Sequence, residues 1–373
     1  MQLITGLPCH RGFLGRMGWP LLGALACALA GCVTSPSPPN AKTVGADVTP
    51  MKEGKAALAA GNFDLAADKY SLVIAWVPAL PQAYVQRSRA WLGKDMPDRA
   101  LADLDRALKL DPDNADAYFY RARTLNWQRE WSQAIASLDR GIALVPDDAE
   151  FYNARGFAKL KLGDETGALS DFEQALRINP DSAWAYRNKG KLLEERFEVG
   201  AALMHRSQSE RLGAEDDDGF QIGRLQFYLH DFRASAARML HAADLKPRYA
   251  YGVIWWYLAA ANASSADAVA PELNRRADSL DNRDWPAAVI DLYRGRIGLE
   301  ALHAAAQAGD PKSLGDRLCE ADFYGAEWLL LRGRPAEARP GFIRAEQNCP
   351  KDFYERQGAH AELHWLGSAT ARD

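Results

Sequence analysis

The sequence predicts an all-α protein, a solenoid of stacked antiparallel helix pairs behind a cleaved N-terminal signal peptide. Two regularities and one biased segment carry that reading. Pro78, Pro112, Pro146 and Pro180 recur every 34 residues, and the same spacing separates Ala66, Ala100, Ala134 and Ala168, and Tyr84, Tyr118, Tyr152 and Tyr186. A fixed period of that length marks a repeat architecture in which each unit is one helical hairpin that buries its apolar face only by stacking on the next. The biased segment is the N-terminus, where residues 1–31 hold Arg11, Arg16 and no acid ahead of the apolar run Leu21 to Ala30.

That run is too short to span a bilayer and reads as a secretory signal, residues 1–31, removed on export. Its loss takes Arg11 and Arg16 and moves the formal charge from −4 to −6 before lipidation. The segment Leu29-Ala30-Gly31-Cys32 resembles the bacterial lipobox. The resemblance implies that Cys32 is diacylated on sulfur, becomes the new N-terminus and is acylated again; the alternative is an ordinary signal peptide with a chance cysteine, as Cys27 is. Val33 to Asn40 are rich in Ser and Pro, so residues 32–46 are expected as a flexible tether. Two or more acyl chains, at about 0.8 kcal/mol per buried methylene, make a durable anchor. Val33 stands where an aspartate would retain such a protein in the inner membrane of enteric bacteria, so the resemblance implies the outer membrane, facing the periplasm.

The repeats begin near Asp47. Proline lacks a backbone donor and disfavours helical geometry in the residue before it, which places Asp111, Val145 and Asn179 at helix ends. Small residues such as Ala100 and Ala107 face large ones such as Tyr118 across the stack. The residues that hold the phase resemble the tetratricopeptide repeat (TPR) family. One unit matches with Tyr84, Ser88, Trp91, Ala100, Leu104, Ala107 and Pro112, and the next with Tyr118, Ala122, Leu125, Ala134, Leu138 and Pro146. A weaker unit precedes them, with Gly54, Gly61, Phe63, Ala66, Tyr70 and Pro78. Another follows, with Tyr152, Gly156, Gly163, Ala168, Phe172, Ala175 and Pro180. Residues 47–182 are therefore read as four continuous units.

Residues 183–249 are read as two divergent units. Tyr186 and Gly190 open the first, but Arg206 and Ser209 stand where apolar and small residues belong; Gly223, Phe232, Ser235, Met239, Ala242 and Pro247 restore the motif in the second. Residues 250–318 lack the proline punctuation and are read as helical hairpins of different sequence. A last unit, 319–350, carries Ala326, Leu329, Gly333, Ala338, Phe342, Ala345 and Pro350, and residues 351–373 form a capping helix and tail. Cys319 opens that unit and Cys349 precedes its closing proline, so an antiparallel hairpin brings both to one side. In an oxidising periplasm they form a disulfide closing about 30 residues and contributing about 3 kcal/mol; the alternative is a pair of buried thiols.

Catalysis finds little support. His360 and His364 lie one helical turn apart, but the run His-Ala-Glu-Leu-His has the glutamate in the wrong place for a zinc protease, and no Pro-Cys-x-x-Cys follows as a zinc deaminase requires. His205, His230, His241 and His303 stand alone in the sequence. There is no Gly-x-Ser-x-Gly elbow, Walker loop or dinucleotide fingerprint. The acidic run Glu215 to Asp218 lacks the alternating ligands of a calcium loop and reads as a solvated helix start. The acidic balance argues against nucleic acid. Neither enzyme activity, nor a cofactor, nor a metal is expected; a metal at His360 and His364 requires stoichiometric metal in the purified protein.

What remains is a binding surface. In stacked TPR units the first helices line a concave groove, and the side chains next to the packing tyrosines face into it: Val85, Arg89 and Leu92, then Phe119, Arg123, Asn126 and Trp127, then Asn153, Phe157 and Lys161, then Arg187 and Lys191. Such a groove suits an extended peptide, with arginines pairing carboxylates and Asn126 or Asn153 bonding its backbone; the alternative for any one of them is a solvated helix residue. It resembles the carboxylate clamp of chaperone-binding TPR domains only in part.

The C-terminal region resembles NlpI-type lipoproteins. The resemblance rests on Cys319 to Gly325, Leu329 to Gly333, Asp352 to Glu355 and Ala361 to Leu363, preceded by Ile254 to Ala259 and by Trp285, Ala287, Val289, Ile290, Tyr293 and Gly295. With Cys32 it covers most of the mature chain. It implies an outer-membrane adaptor that dimerises, docks a tail-specific periplasmic protease and delivers cell-wall hydrolases to it. The longer array and the two cysteines depart from that family. Two expectations follow: a scaffold gathering hydrolases, synthases or a protease, or an accessory lipoprotein for assembly of a secretin, pilus or outer-membrane protein complex.

Overall fold

A computed structural model describes residues 49–213, 218–280 and 285–370, and these are helical throughout, without strands. Residues 1–31, Cys32, the tether and the acidic run from Glu215 to Asp217 lie outside the described residues. The first helix pairs are α1 Thr49–Ala59 with α2 Phe63–Trp76, α3 Pro81–Gly93 with α4 Pro97–Leu110, α5 Ala115–Trp127 with α6 Trp131–Leu144, and α7 Ala149–Lys161 with α8 Glu165–Ile178. Two more pairs continue the stack, α9 Ala183–Glu195 with α10 Val199–Arg211 and α11 Asp218–Tyr228 with α12 Phe232–Leu245. Each helix packs on its sequence neighbour, and α3, α5, α7 and α9 also touch one another in turn. That is the geometry of a solenoid.

Local chemistry marks several of these boundaries. Val77, Asp111, Val145 and Asn179 each close a helix in a non-helical conformation directly before a proline. The next helix starts on a polar cap at the same period: Asn114 Oδ1 accepts from the Ala117 amide at 2.9 Å, Asp148 from Glu150 at 2.9 Å and Ser182 Oγ from Ala185 at 3.3 Å. Within each hairpin the turn needs one left-handed residue, and it falls on Gly61, Asp95, Arg129, Gly163 and Phe197, then on His230. Small residues sit under large ones sixteen positions on. A Cβ on Gly156 would stand 2.7 Å from the Phe172 ring and one on Gly54 would stand 2.8 Å from Tyr70, so these glycines set how closely the paired helices approach.

A polar ladder also ties the units. Arg87 forks onto Asp103 at 2.7 and 2.8 Å, and Arg121 reaches Asp105 at 3.0 Å and Ser137 at 2.8 Å. Arg155 holds Asp171 at 2.7 Å and Asp139 at 2.6 Å, and Lys189 meets Glu173 at 3.0 Å. Arg87, Arg121 and Arg155 each bridge the second helices of adjacent units, because their partners lie sixteen residues before and sixteen after, the earlier one for Arg87 being Ser71 at 3.0 Å.

The remainder of the chain is less regular. Helices α13 Ala250–Ala263 and α14 Ala266–Ala277 form a hairpin, and α15 Ala287–Tyr293 and α16 Leu299–Gln307 are short. The pair α17 Leu314–Leu330 and α18 Pro335–Asn348 precedes α19 Tyr354–Thr370. The boundary expected at 318/319 falls inside α17, which starts at Leu314 because Pro311 to Ser313 make a lead-in turn. Cys319 and Cys349 are bonded, Sγ–Sγ 1.98 Å, tying α17 to the end of α18. One apolar core joins all of this, from Leu193 to Ala361, with Trp255 wholly enclosed.

Helix α19 does not trail away. It folds back on α11: Arg224 donates to Gln357 Oε1 at 2.7 Å, Tyr228 Oη to the Tyr354 carbonyl at 2.7 Å and Trp365 Nε1 to the Tyr228 carbonyl at 3.1 Å. The two hairpin turns with bulky left-handed residues grip it as well, Phe197 stacking on His360 at 4.1 Å and His230 on Trp365 at 4.5 Å. Two expectations are corrected here. His230 and His303 do not stand alone, since His230 pairs with Glu362 at 2.9 Å and His303 with Asp322 at 3.1 Å. Arg206, out of place in an apolar position, is buried against Glu194 at 2.8 Å, and Glu194 also takes Arg224, a side chain with no exposure.

Candidate functional site

The inner face of α3, α5, α7 and α9 carries three clefts in succession. The first, about 380 Å³, is lined by Arg89, Leu92, Arg123 and Trp127 with Tyr120 and Phe63. The second, about 670 Å³, shares Arg123 and adds Phe119, Asn126, Asn153, Phe157, Trp184 and Asn188. The third, about 510 Å³, holds Lys161, Arg187 and Lys191, with Asp352, Tyr354 and Gln357 of the α19 end. Stacking links the second to the third, Lys161 Nζ lying 5.6 Å from the Phe157 ring centre and Arg187 4.6 Å from that of Trp184.

The repeat itself produces this alignment. Arg89, Arg123, Phe157 and Lys191 occupy one column at 34-residue steps, and Phe119, Asn153 and Arg187 the column four residues earlier. Val85 opens that second column, but it is a correction: its side chain is buried with Leu104, Ala107 and Ala117, because a small β-branched residue there fills the stack instead of reaching out of it. Trp184, Asn188 and Tyr120 line the groove without having been read from the sequence. Continuing the columns at 34-residue steps through every position of the first helices would have found them.

Aromatic rings and cations alternate along the first two clefts. Arg89 lies 5.0 Å from the Tyr120 ring centre, and Arg123 5.9 Å from Phe119, in cation–π range. Trp127 and Trp184 are more than half exposed, at 55% and 58%. Asn153 Oδ1 accepts from Asn188 Nδ2 at 2.9 Å, whereas Asn126 Oδ1 is enclosed with no hydrogen-bond partner. An enclosed acceptor of that kind is costly unless a donor is brought to it. In the third cleft Glu194 is neutralised by Arg206 and Arg224. The Glu195 carboxyl is pushed up chiefly by burial, against the pull of Lys191 and Lys161.

The C-terminal histidines sit elsewhere. His360 pairs with Glu346 at 2.7 Å as well as stacking on Phe197, and with exposed His364 it lines a separate cleft beside Leu229 and Trp365. No cluster of three or more His, Cys, Asp or Glu side chains suited to a metal occurs among the described residues.

Two family models, both described as tetratricopeptide repeat, match residues 92–156 and 149–182. The chain therefore contains tetratricopeptide repeats, and such proteins are in general non-enzymatic scaffolds for protein–protein interaction. Among solved structures it is similar to Pseudomonas aeruginosa PilF, at 20% identity over 53% of this chain and 90% of that one, with a TM-score of 0.49. YrrB, a TPR protein with an unusual peptide-binding site, is 18% identical over 50% of this chain and 96% of that one, TM-score 0.39. The Cut9–Hcn1 hetero-tetramer of the APC/C gives 13% identity, 66% and 49% coverage and a TM-score of 0.52. At these identities the likeness is one of fold.

Proposed function

We propose that this protein is an envelope scaffold that holds an extended segment of a partner protein in the groove of α3 to α9. The observation that carries the proposal is the middle cleft, where Trp184 presents an exposed ring and the enclosed Asn126 oxygen lacks a donor. A peptide supplies what both need, apolar side chains for the rings and backbone amides for the asparagine. Arg89 and Arg123 favour acidic residues at the α3 end.

The finer reading follows from the lipobox-like and NlpI-like segments. Cys32 carries the lipid, the chain faces the periplasm from the outer membrane, it forms a homodimer, and its partners are cell-wall hydrolases or a tail-specific protease. Crosslinking in cells, capture of the lipidated protein and mass spectrometry test this, with an Arg89→Ala, Arg123→Ala and Arg187→Ala triple variant as control. Recovery of a hydrolase or protease that the variant loses supports the reading. Recovery of secretin or pilus components instead overturns the partner class in favour of an assembly accessory. Release of a Cys32→Ser variant from the membrane fraction tests the anchor.

A further inference from the structure

The groove has a built end. An extended chain running from the middle cleft past Phe157 and Trp184 arrives at the third cleft, and there it meets the first turn of α19. That turn is fixed: Gln221 Nε2 donates to Tyr354 Oη at 3.0 Å, Tyr228 Oη to the Tyr354 carbonyl at 2.7 Å and Arg224 to Gln357 at 2.7 Å, while the Arg224 guanidinium lies 3.9 Å from the Tyr354 ring centre. Moving it aside would strip partners from a wholly buried Arg224, so the turn acts as a wall and not as a lid.

The charge of the cleft says which end of a chain stops there. Glu194 lies between Arg206 and Arg224, which leaves that triad one positive charge in surplus. Lys161 and Lys191 are exposed at the mouth, and with Arg187 they outnumber Glu195 and Asp352. A positive surplus repels an α-ammonium group and attracts a carboxylate. We propose that the groove binds its partner by a free C-terminus, with the terminal carboxylate in the cleft of Lys161, Lys191 and the α19 turn and the preceding residues along the asparagine and aromatic cleft. This rests on the groove being the binding site. It goes further by naming the partner as a protein whose C-terminal tail is exposed.

The test uses arrays of mixed-sequence decapeptides, each immobilised through its N-terminus once as the free acid and once as the C-terminal amide, and probed with the purified protein. Binding sequences are then measured in solution in both forms. The free acid is expected to bind at least about tenfold more tightly, as the loss of a charge-assisted hydrogen bond requires. A Lys161→Gln, Lys191→Gln double variant, with unchanged helicity and melting as the control for folding, brings the acid-to-amide ratio close to one. Equal binding of acid and amide, both weakened by Arg123→Gln, leaves the groove in place as a site for internal segments and overturns the terminal reading. No binding of either form by any sequence overturns the groove reading and this one with it.

Discussion

Replacing Arg224 with methionine should detach the cap from the array. The guanidinium has no exposure, donates to Gln357 at 2.7 Å, Gln221 at 2.6 Å and Tyr228 at 3.0 Å, and is bonded to Glu194, which it shares with Arg206. Methionine keeps the stem and removes the fork, so Glu194 loses one of two cations and the acceptors on Gln221 and Gln357 lose their donor. Breaking a buried pair by removing one partner costs about 3–5 kcal/mol. Because Gln357 lies on α19, 133 residues away, that loss is expected in the docking of the cap. Native-state amide exchange reads it locally: rates in α19 should rise roughly a hundred- to a few-thousand-fold while those in α3 to α6, which touch only their neighbours, stay put. Arg224→Lys should recover little, since one ammonium cannot span partners on several sides. Protection of α19 within threefold of the parent, or a uniform loss along the whole array, would refute the assignment of Arg224 as the cap's anchor.

Three further perturbations follow from the same geometry. Arg129 is exposed and left-handed at φ 63, so Arg129→Gly should stabilise by about 1 kcal/mol in denaturant unfolding, whereas Phe197→Gly, which relieves the same strain but loses the His360 stack, should not. The Glu320 carboxyl, held by Tyr251 and Trp285, is pushed up from 4.5 to about 7, first by burial and then by Glu355. A raised carboxyl contributes stability that is complete below its unfolded pKa and is lost as pH climbs through the folded one. Stability should therefore fall by about 3 kcal/mol between pH 5 and 8, and Glu320→Gln should flatten that slope; equal slopes in thermal or denaturant unfolding would reject it. Reducing the Cys319–Cys349 bridge, which spans 30 residues, should cost about 3 kcal/mol in the α17–α18 hairpin and leave α1 to α8 untouched, as limited proteolysis under reducing and oxidising conditions would show.

Much of the array is legible because a single period governs it. The prolines, alanines and tyrosines of the four continuous units fix both the helix ends and the inner columns, and the eleven groove residues from Arg89 to Lys191 all line one of the three clefts. The ladder of Arg87, Arg121, Arg155 and Lys189 is less visible because residue type alone does not separate it from the groove column. Arg87 and Arg89 are alike in chemistry, but two residues turn a helix by about 200°, so one faces the second helices and the other the groove. An acid sixteen positions on does not tell them apart either, since Asp105 follows Arg89 and Asp139 follows Arg123 just as Asp103 follows Arg87 and Asp171 follows Arg155. The cap is opaque for a different reason: its bonds join residues more than 120 apart with no period, as Tyr228 to Tyr354 and Arg224 to Gln357 do.

Those aperiodic contacts explain where the repeat pattern breaks. In a stack of near-identical units an apolar helix packs about equally well at several heights, so a greasy seam alone gives α19 no unique register. Arg206 replaces the large apolar residue that Leu104, Leu138 and Phe172 supply in earlier units, and Phe197 and His230 replace the small residue that Gly61 and Gly163 supply at the hairpin turns. Each substitution is a local cost, a buried charge or a strained backbone, and each is matched by a partner in α19 or by a residue that holds one: Arg206 through Glu194 and Arg224 to Gln357, Phe197 to His360, His230 to Glu362. Polar and strained devices of this kind specify register more than they add stability. Left-handed residues other than glycine also occur at earlier turns, in Asp95 and Arg129, but the devices that α19 engages lie between α9 and α12, which fixes the wall at one end and leaves the regular inner face of α3 to α7 open to a partner.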